Sequence, residues 1–356
     1  MSTAESNTLQ TILLSIVESF SDYFYKFAEN IFGKRPTTLN FDKVSVKGKI
    51  GMTGLQLVKV SFSTELGTAT SALAVKIFPE ENAASEVVEK IKYVQRRISR
   101  YEKQGIKTAD VLFCAGPVVV MEGIKGDDFK KSPVPLTEKF RMAGRALAAL
   151  HGKTDNPVSN EKNLQLLKMI LPELPIDQNW KARIMQLVEN HFVQMGHNRG
   201  GTVAMGDFHP GNVLYEIDLQ KEPILSVHLI DPEFIELEPV NDRFEDITNF
   251  FFNRCIQEYS QKGRLFQSLA EIGYFIAGYN EIMAYYNKDL FDFYTYNSFN
   301  IHLAQRILYS IINLQSIAAN RNYFEEQAAI RAKMVEEILQ SPPIYDRAKF
   351  EPVSSS

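Results

Sequence analysis

The stretch MGDFHPGNVLY, residues 205–215, decides how the chain is interpreted. It carries Asp207 and Asn212 five positions apart, with Pro210-Gly211 between them. Proline presets φ and glycine permits positive φ, so this pair favours a turn that folds the chain back on itself. We therefore expect a polar loop between two strands, with the aspartate and the asparagine close together.

Two other segments complete a pattern. ALAVKIF, residues 72–78, places Lys76 inside an alternating strand, and LSVHLIDPEF, residues 225–234, places Asp231 just past an apolar run. Phosphoryl transfer from a nucleoside triphosphate needs metal ions, a cation on the phosphates and a group that orients the acceptor. Asn212 and Asp231 offer the oxygen ligands that Mg²⁺ prefers, and Asp207 is suited to the acceptor hydroxyl.

Four ordered motifs give this pattern a family resemblance. The segments are similar to the aminoglycoside phosphotransferase and choline kinase-like family, whose catalytic loop reads His-Gly-Asp-x-His-x-Gly-Asn and whose metal strand reads Ile-Asp-x-Glu/Asp. The corresponding residues here are 205–212 and 230–233, and the family's Leu-Ala-x-Leu-His and Met-Glu-x-x-x-Gly fall on 147–151 and 121–126. The match covers residues 47–246, and Asp-Pro-Glu-Phe also resembles the methylthioribose kinase branch.

The resemblance implies a role for each matching residue. The general base or acceptor-orienting aspartate falls on Asp207, the metal ligands on Asn212 and Asp231, and the phosphate lysine on Lys76. Glu233 follows as a second acid that can assist the metal.

The nucleotide contacts follow from the same resemblance. The helical glutamate that pairs with the lysine falls on Glu89, with Glu86 as the alternative one turn earlier. Met121 and Glu122 would lie in the hinge, where backbone groups pair with the adenine edge. The family's glycine-containing nucleotide loop would correspond to Gly48, Gly51 and Gly54.

One residue departs from the family pattern. Met205 stands where the family has a histidine that supports the loop through hydrogen bonds, and a methionine can only pack. Asp246 resembles the family aspartate that braces the catalytic loop by accepting backbone N–H bonds. His209 and His151 are interpreted as structural, because neither has a second histidine at ligand spacing.

The expected fold is α+β, namely the two-lobed protein-kinase-like fold that the resemblance implies. The predicted organisation is an amphipathic helix over 1–35, a small β-rich N-lobe over 36–121, a larger helical C-lobe over 122–350 and a disordered tail over 351–356. The N-terminal helix is expected to pack on the body of the protein, and the alternatives are a dimer contact or a helix that lies on a membrane surface.

Composition narrows the class of protein. The chain has 356 residues, 45% of them hydrophobic, and a net charge of −4, which argues against a surface built for nucleic acid. Charged residues interrupt the first apolar stretch, so we expect neither signal peptide nor membrane span. Cys114 and Cys255 lack metal spacing and are expected to be buried free thiols in a reducing cytoplasm.

The sequence therefore predicts an ATP- or GTP- and Mg²⁺-dependent kinase of a small-molecule hydroxyl acceptor. A run of acids, Glu233, Glu236, Glu238 and Asp242, would suit a cationic acceptor such as an amino sugar or a choline-like amine. The alternative is a nucleotide-binding regulatory or scaffold pseudokinase, which Met205 and the irregular glycines favour. A protein kinase is disfavoured because no Ala-Pro-Glu segment follows the metal strand.

Overall fold

The computed structural model describes residues 14–50, 55–152, 156–159, 161–174, 177–195, 201–218, 224–265, 267–284, 298–317 and 321–340. The chain divides into two compact units. The first unit comprises Met1–Arg96, Lys107–Gly126 and His228–Glu233, and the second comprises Arg97–Ile106, Asp127–Val227 and Phe234–Ser356. The predicted lobe boundaries, 36–121 and 122–350, stay predictions.

The elements follow one another along the chain in a strand-rich part and then a helix-rich part. They are α1 (Ser21–Phe32), β1 (Asn40–Ile50), β2 (Leu55–Thr64), β3 (Gly67–Ile77), α2 (Glu81–Ile98), β4 (Ile106–Thr108), β5 (Val111–Ala115), β6 (Val118–Glu122), β7 (Asp127–Asp128), α3 (Leu136–His151), α4 (Glu161–Ile170), α5 (Gln178–Met195), β8 (Thr202–Ala204), β9 (Val213–Asp218), β10 (Ile224–Leu229), β11 (Glu236–Asn241), α6 (Arg243–Lys262), α7 (Gln267–Met283), α8 (Ser298–Ile317) and α9 (Arg321–Gln340). This α+β organisation confirms the predicted fold class.

The first unit is built on a five-stranded antiparallel sheet in the order β1-β2-β3-β6-β5. Alternate residues of its strands face a buried cluster that includes Val58, Val60 and Leu73. Cys255 of the second unit is buried as expected, but the prediction for Cys114 was wrong. Cys114 is exposed because β5 is an edge strand of this sheet.

The N-terminal helix covers this sheet. Phe24 is fully buried and its ring meets Phe41 and Phe62 edge-on, at centroid distances of 5.0 and 5.4 Å. Burial of one such ring contributes about 1.5–3 kcal/mol. The sequence predicted a single helix, but the backbone of Phe20 (φ −126°, ψ 37°) interrupts it. The ring of Phe20 contacts the ring of Phe113.

The second unit is mostly helical, and its core is aromatic. Rings of Phe140, Phe208, Phe250, Phe251 and Phe275 pack at centroid distances between 5.0 and 6.2 Å. Strands β7 and β9 pair antiparallel, and so do β8 and β11. The loop of residues 205–212 lies between β8 and β9, as the sequence predicts.

Helix α4 ends at Ile170, and a 3₁₀ turn, Leu171–Glu173, which contains Pro172, precedes α5. Proline cannot donate to the preceding turn, so the helix ends before it. Over the residues that the structure describes, no helix has the length and apolarity that crossing a membrane requires.

Two glycines allow α3 and α7 to approach closely. A Cβ on Gly144 would lie 2.0 Å from the carbonyl oxygen of Phe275, and one on Gly278 would lie 1.9 Å from that of Arg141. Neither oxygen can move without shifting a helix backbone. The crossing therefore needs glycine at both positions.

We predict that Gly144→Ala and Gly278→Ala each lower the free energy of unfolding by about 3 kcal/mol, because the added methyl group forces the helices apart. Gly263→Asn is the control, since a Cβ there meets nothing within 4 Å and asparagine tolerates its φ of 65°. Urea unfolding midpoints measure the difference. A loss from Gly263→Asn as large as that from Gly144→Ala would contradict the interpretation.

Candidate active site

The loop between β8 and β9 presents the Asp207 carboxylate. Gly206 has φ 79°, and a Cβ there would lie 2.3 Å from the Phe234 carbonyl oxygen, so only glycine fits before the aspartate. His209 then begins a 3₁₀ turn over Pro210–Asn212, and its Nδ1 accepts a hydrogen bond from Gly211 N–H at 2.9 Å. The Asp207 side chain is 41% exposed, which leaves its carboxylate accessible to a ligand.

Asn212 closes this loop from inside. Its side-chain Nδ2 donates to the Asp207 carbonyl oxygen at 2.9 Å, and the residue is buried. The Oδ1 atom accepts no hydrogen bond from a described residue. The amide is therefore oriented so that its oxygen is the atom left for a ligand.

The loop backbone is held by a buried carboxylate on α6. Asp246 is 1% exposed, its Oδ2 accepts from Met205 N–H at 2.7 Å, and its Oδ1 accepts from Gly206 N–H at 3.0 Å. Asn249, one turn later, donates to the Gly206 carbonyl oxygen at 3.1 Å. Asp246 thus has the bracing geometry that the resemblance implied.

Sequence reasoning missed the part that His151 takes in this network. His151 Nε2 lies 3.0 Å from Asp246 Oδ2, and its Nδ1 lies 2.8 Å from the Tyr279 hydroxyl. Burial lowers the pKa of His151, against the opposing effect of Asp246. The end of a helical Leu-Ala-Ala-Leu-His segment was the only available signal, and it does not reveal a partner 95 positions away.

The same hydrogen-bond network includes the residue at position 205, where the family pattern has a histidine and this chain has Met205. Met205 is 1% exposed and its side chain packs in the interior, while its backbone N–H makes the hydrogen bond to Asp246. The imidazole that contacts the bracing carboxylate comes from His151 instead. The loop therefore keeps hydrogen-bonded support although position 205 carries no histidine.

A second group of predicted residues lies in the first unit, around Lys76. This lysine sits on β3 opposite Val119 of β6 and is 5% exposed. Its ammonium group lies 3.3 Å from Asp231 Oδ1 and pairs with Glu233 Oε1. The backbone of Glu233 is fixed because its carbonyl oxygen accepts from Lys90 Nζ at 2.7 Å.

The expected lysine partner on α2 is not the one that the structure has. Glu89 pairs with Lys92 at 2.9 Å and its side chain is 63% exposed, while Glu86 pairs with Lys90 at 2.7 Å. The buried face of α2 is apolar, so both glutamates point to solvent. Glu233, far away in sequence, supplies the carboxylate instead.

The remaining nucleotide residues are less informative. Gly51 and Gly54 lie outside the described residues, and Gly48 pairs with Leu57 in the sheet. Met121 and Glu122 lie on β6, opposite Ala74 and Leu73, and their place in a hinge stays a prediction. The Glu122 N–H already donates to the Asp110 carbonyl oxygen at 2.8 Å, so an adenine edge would need another backbone group of this strand.

The predicted metal ligands Asn212, Asp231 and Glu233 all carry oxygen donors. Within the described ranges, no three His, Cys, Asp or Glu side chains converge as a metal cluster. Asp231 and Glu233 offer carboxylate oxygens in the first unit, and Asn212 offers a carboxamide oxygen in the second. Oxygen donors of this kind fit Mg²⁺, which keeps several ligand positions for water and phosphate.

The acidic run past the metal strand does not form one anionic face. Glu233 is paired with Lys76, and Asp242 is buried at the N-terminus of α6, where it accepts from Phe244 N–H at 2.9 Å. His302 Nε2 lies 3.3 Å from Asp242 Oδ2. Two of the four carboxylates are thus already neutralised, which weakens the sequence-based argument for a cationic acceptor.

The comparisons with known proteins found solved structures of low sequence identity to this chain. No protein-family model matches the sequence, and no curated protein sequence matches it. Choline kinase from Streptococcus pneumoniae is 12% identical, with a TM-score of 0.42 over 90% of this chain and 99% of that one. Plasmodium vivax ethanolamine kinase is 12% identical, with a TM-score of 0.48 over 88% and 86%.

A macrolide 2'-phosphotransferase from Brachybacterium faecium is 15% identical, and the match has a TM-score of 0.45 and covers 92% of this chain and 100% of that protein. The similarity to the methylthioribose kinase branch stays a prediction.

Asp246 and Asp231 should respond differently to amidation. We predict that Asp246→Asn lowers the free energy of unfolding by at least about 2 kcal/mol, because the new NH₂ group cannot accept from backbone donors that stay buried. Asp231→Asn should cost less than about 1 kcal/mol, since its side chain is 33% exposed and asparagine tolerates its φ of 57°. Urea unfolding of both variants decides this, and equal losses would contradict it.

The partner of Lys76 can be identified by a double-mutant cycle. Lys76→Met combined with Glu233→Gln should show a coupling free energy of at least about 1 kcal/mol in unfolding experiments, because the two groups interact directly. The same cycle with Glu89→Gln should show coupling near zero. Coupling to Glu89 instead of Glu233 would restore the family pattern and contradict the pairing described above.

Proposed function

We propose that this chain is an ATP- and Mg²⁺-dependent kinase that transfers the γ-phosphoryl group to a hydroxyl of a small molecule. The observation that carries the proposal is the accessible Asp207 carboxylate on a loop fixed by Asp246 and Asn212. A reaction with little covalent chemistry depends on positioned groups of this kind.

Asp207 is the proposed catalytic residue. It would orient the acceptor hydroxyl by accepting its hydrogen bond and would take up the proton as the oxygen attacks phosphorus. His209 Nε2 lies 3.5 Å from Asp207 Oδ2, and both side chains are partly exposed. The fixed backbone on both sides limits how far the carboxylate can turn away.

Lys76 is the proposed phosphate ligand. A lysine ammonium that is 95% shielded from water needs an anionic partner, because an unpaired buried charge is costly. Asp231 and Glu233 supply that charge here. Phosphate oxygens of the nucleotide would offer the same charge with similar hydrogen-bonding geometry.

Asn212, Asp231 and Glu233 are the proposed Mg²⁺ ligands, through one carboxamide and two carboxylate groups. Bound Mg²⁺ would neutralise charge that develops on the phosphate oxygens. Backbone groups at Met121 and Glu122 and the glycines at Gly51 and Gly54 remain the proposed nucleotide contacts.

One observation favours the alternative of a nucleotide-binding regulatory protein. Lys76 is engaged by both of its unit's proposed metal ligands, so nucleotide binding must compete with two ion pairs. A protein in which these pairs persist would bind nucleotide and turn it over slowly. The cytoplasmic location and the oligomer contact through the N-terminal helix likewise remain proposals from the sequence.

The test is acceptor-dependent ADP release from Mg-ATP, with choline, ethanolamine, aminoglycosides and monosaccharides as acceptors. We expect Asp207→Asn to lower the rate by about 10²–10⁴-fold, because the acceptor hydroxyl loses its base. Asp127→Asn, which changes an exposed carboxylate on β7, is the matched control and should leave the rate unchanged. If Mg-nucleotide binds but no acceptor gives Asp207-dependent phosphorylation, the regulatory alternative replaces the kinase.

A further inference from the structure

A buried chain of polar side chains runs from α7 to the backbone of the loop between β8 and β9. The Tyr279 hydroxyl lies 2.8 Å from His151 Nδ1, and His151 Nε2 lies 3.0 Å from Asp246 Oδ2. Asp246 in turn accepts hydrogen bonds from the backbone N–H groups of Met205 and Gly206. Tyr279 and His151 are fully buried and Asp246 is 1% exposed, so bulk water cannot take the place of any of these partners.

Close packing of α3 and α7 brings the tyrosine to the histidine. The two helices approach each other at Gly144 and Gly278, and a Cβ on Gly144 would lie 3.0 Å from the backbone nitrogen of Tyr279. His151 follows Gly144 on the same face of α3, about two turns later. The rings of Tyr279 and His151 meet edge-on, at a centroid distance of 5.7 Å. The helix crossing therefore sets the distance between the two rings.

Other hydrogen bonds fix the backbone at His151. Arg97 Nε donates to the carbonyl oxygen of Leu150 at 3.0 Å, and the Arg97 guanidinium group also donates to the carbonyl oxygen of His151. Thr202 Oγ1 donates to the same His151 oxygen at 3.1 Å. Because the main chain is held in this way, the imidazole can change its position only by rotation about its side-chain bonds.

The neighbours of His151 determine which ring nitrogen carries the proton. Burial lowers the pKa of His151, and the positive charges of Arg243 and Arg97 act in the same direction, against the Asp246 carboxylate. The imidazole is therefore neutral near neutral pH and carries one N–H group. A carboxylate can only accept, so Nε2 carries the proton and donates to Asp246. Nδ1 is then an acceptor, and the Tyr279 hydroxyl lies within reach to donate to it.

We propose that Tyr279 is a positioning residue of the candidate active site, whose hydroxyl donates to His151 Nδ1 and holds the imidazole where Nε2–H donates to Asp246. A buried acceptor that is left without a donor is costly. Without the tyrosine hydroxyl, the imidazole would rotate to relieve that cost. Asp246 would then lose one of the three described donors that fix it beside the loop.

The consequence for phosphoryl transfer rests on the proposed function, in which Asp207 orients the acceptor hydroxyl. Asp207 directly follows Gly206, whose N–H donates to Asp246 at 3.0 Å. A loosened loop would misplace the Asp207 carboxylate relative to the attacking oxygen, and misplacement of a reacting group lowers the rate of the chemical step. The hydrogen bonds themselves can be measured without any assumption about the reaction.

The first measurement is ¹⁵N NMR of the histidine side chains in the full chain near neutral pH. We expect the native protein to show His151 with a protonated Nε2, an unprotonated Nδ1 and an Nε2–H proton in slow exchange with water. Tyr279→Phe removes only the hydroxyl group and should abolish that slow exchange. It should also raise the hydrogen-exchange rates of the Met205 and Gly206 amides about ten-fold, because Asp246 holds them less firmly.

Tyr259→Phe is the matched control. Tyr259 lies on α6 and is also buried, but its hydroxyl is hydrogen-bonded to Glu337. This variant should leave the His151 spectrum and the exchange of both loop amides unchanged. His151→Gln supplies a second comparison, since in that background Tyr279→Phe should change the exchange of the loop amides by less than about two-fold.

The second measurement is the rate of acceptor phosphorylation. Tyr279→Phe should lower kcat about ten-fold and change KM for Mg-ATP by less than about two-fold, because the loop is misplaced while the nucleotide contacts stay in the other unit. Tyr259→Phe should keep the native kcat. A loss of kcat in both variants alike would show a general effect of losing a buried hydroxyl and would overturn the assignment to Tyr279.

A native spectrum with the proton on Nδ1 would also overturn the inference, since Tyr279 would then accept instead of donate. That result needs no variant, so it decides the matter even where Tyr279→Phe fails to fold. Loop amides that exchange no faster in Tyr279→Phe than in Tyr259→Phe would overturn it as well. If the spectra and exchange rates are as expected but no acceptor is phosphorylated, the positioning of the loop stands and the proposed kinase function fails.

Discussion

The buried carboxylate of Asp246 is the interaction on which the candidate active site depends. It accepts hydrogen bonds from two consecutive backbone N–H groups, of Met205 and Gly206, and contacts the imidazole of His151. A carboxylate that is 1% exposed is costly unless its oxygens are used in this way. The same hydrogen bonds join α6, the end of α3 and the loop. The packing of these helices therefore determines the position of Asp207.

The hydrogen bonds of Asp246 explain why the loop tolerates a methionine at position 205. A side-chain hydrogen bond is absent there, yet the backbone N–H of Met205 is held at 2.7 Å by Asp246. The imidazole of His151, whose pKa is lowered by burial, provides a neutral donor or acceptor beside that carboxylate. Loop geometry is thus a property of the network, and a single substitution within it can leave the rest in place.

The environment of Lys76 illustrates a second constraint. The alternating pattern of β3, which is visible in the sequence, places Lys76. The carboxylate that pairs with Lys76 depends on the tertiary fold. Glu89 faces solvent because the opposite face of α2 carries Val88, Ile91 and Val94 into the interior. Glu233 and Asp231 take that place, and Lys90 secures the backbone that carries them.

Sequence alone determined the α+β class, the strand that bears Lys76, the tight loop between Asp207 and Asn212 and the bracing role of Asp246. These features follow from local sequence properties, namely the periodicity of apolar residues, the backbone conformations that proline and glycine favour, and the order of the motifs along the chain. Only the tertiary structure decided that His151 supports the loop and that Glu233 rather than Glu89 pairs with Lys76. His151 and Asp246 lie 95 positions apart and Lys76 and Asp231 lie 155 positions apart. Such contacts depend on how helices and strands pack, which no local pattern specifies.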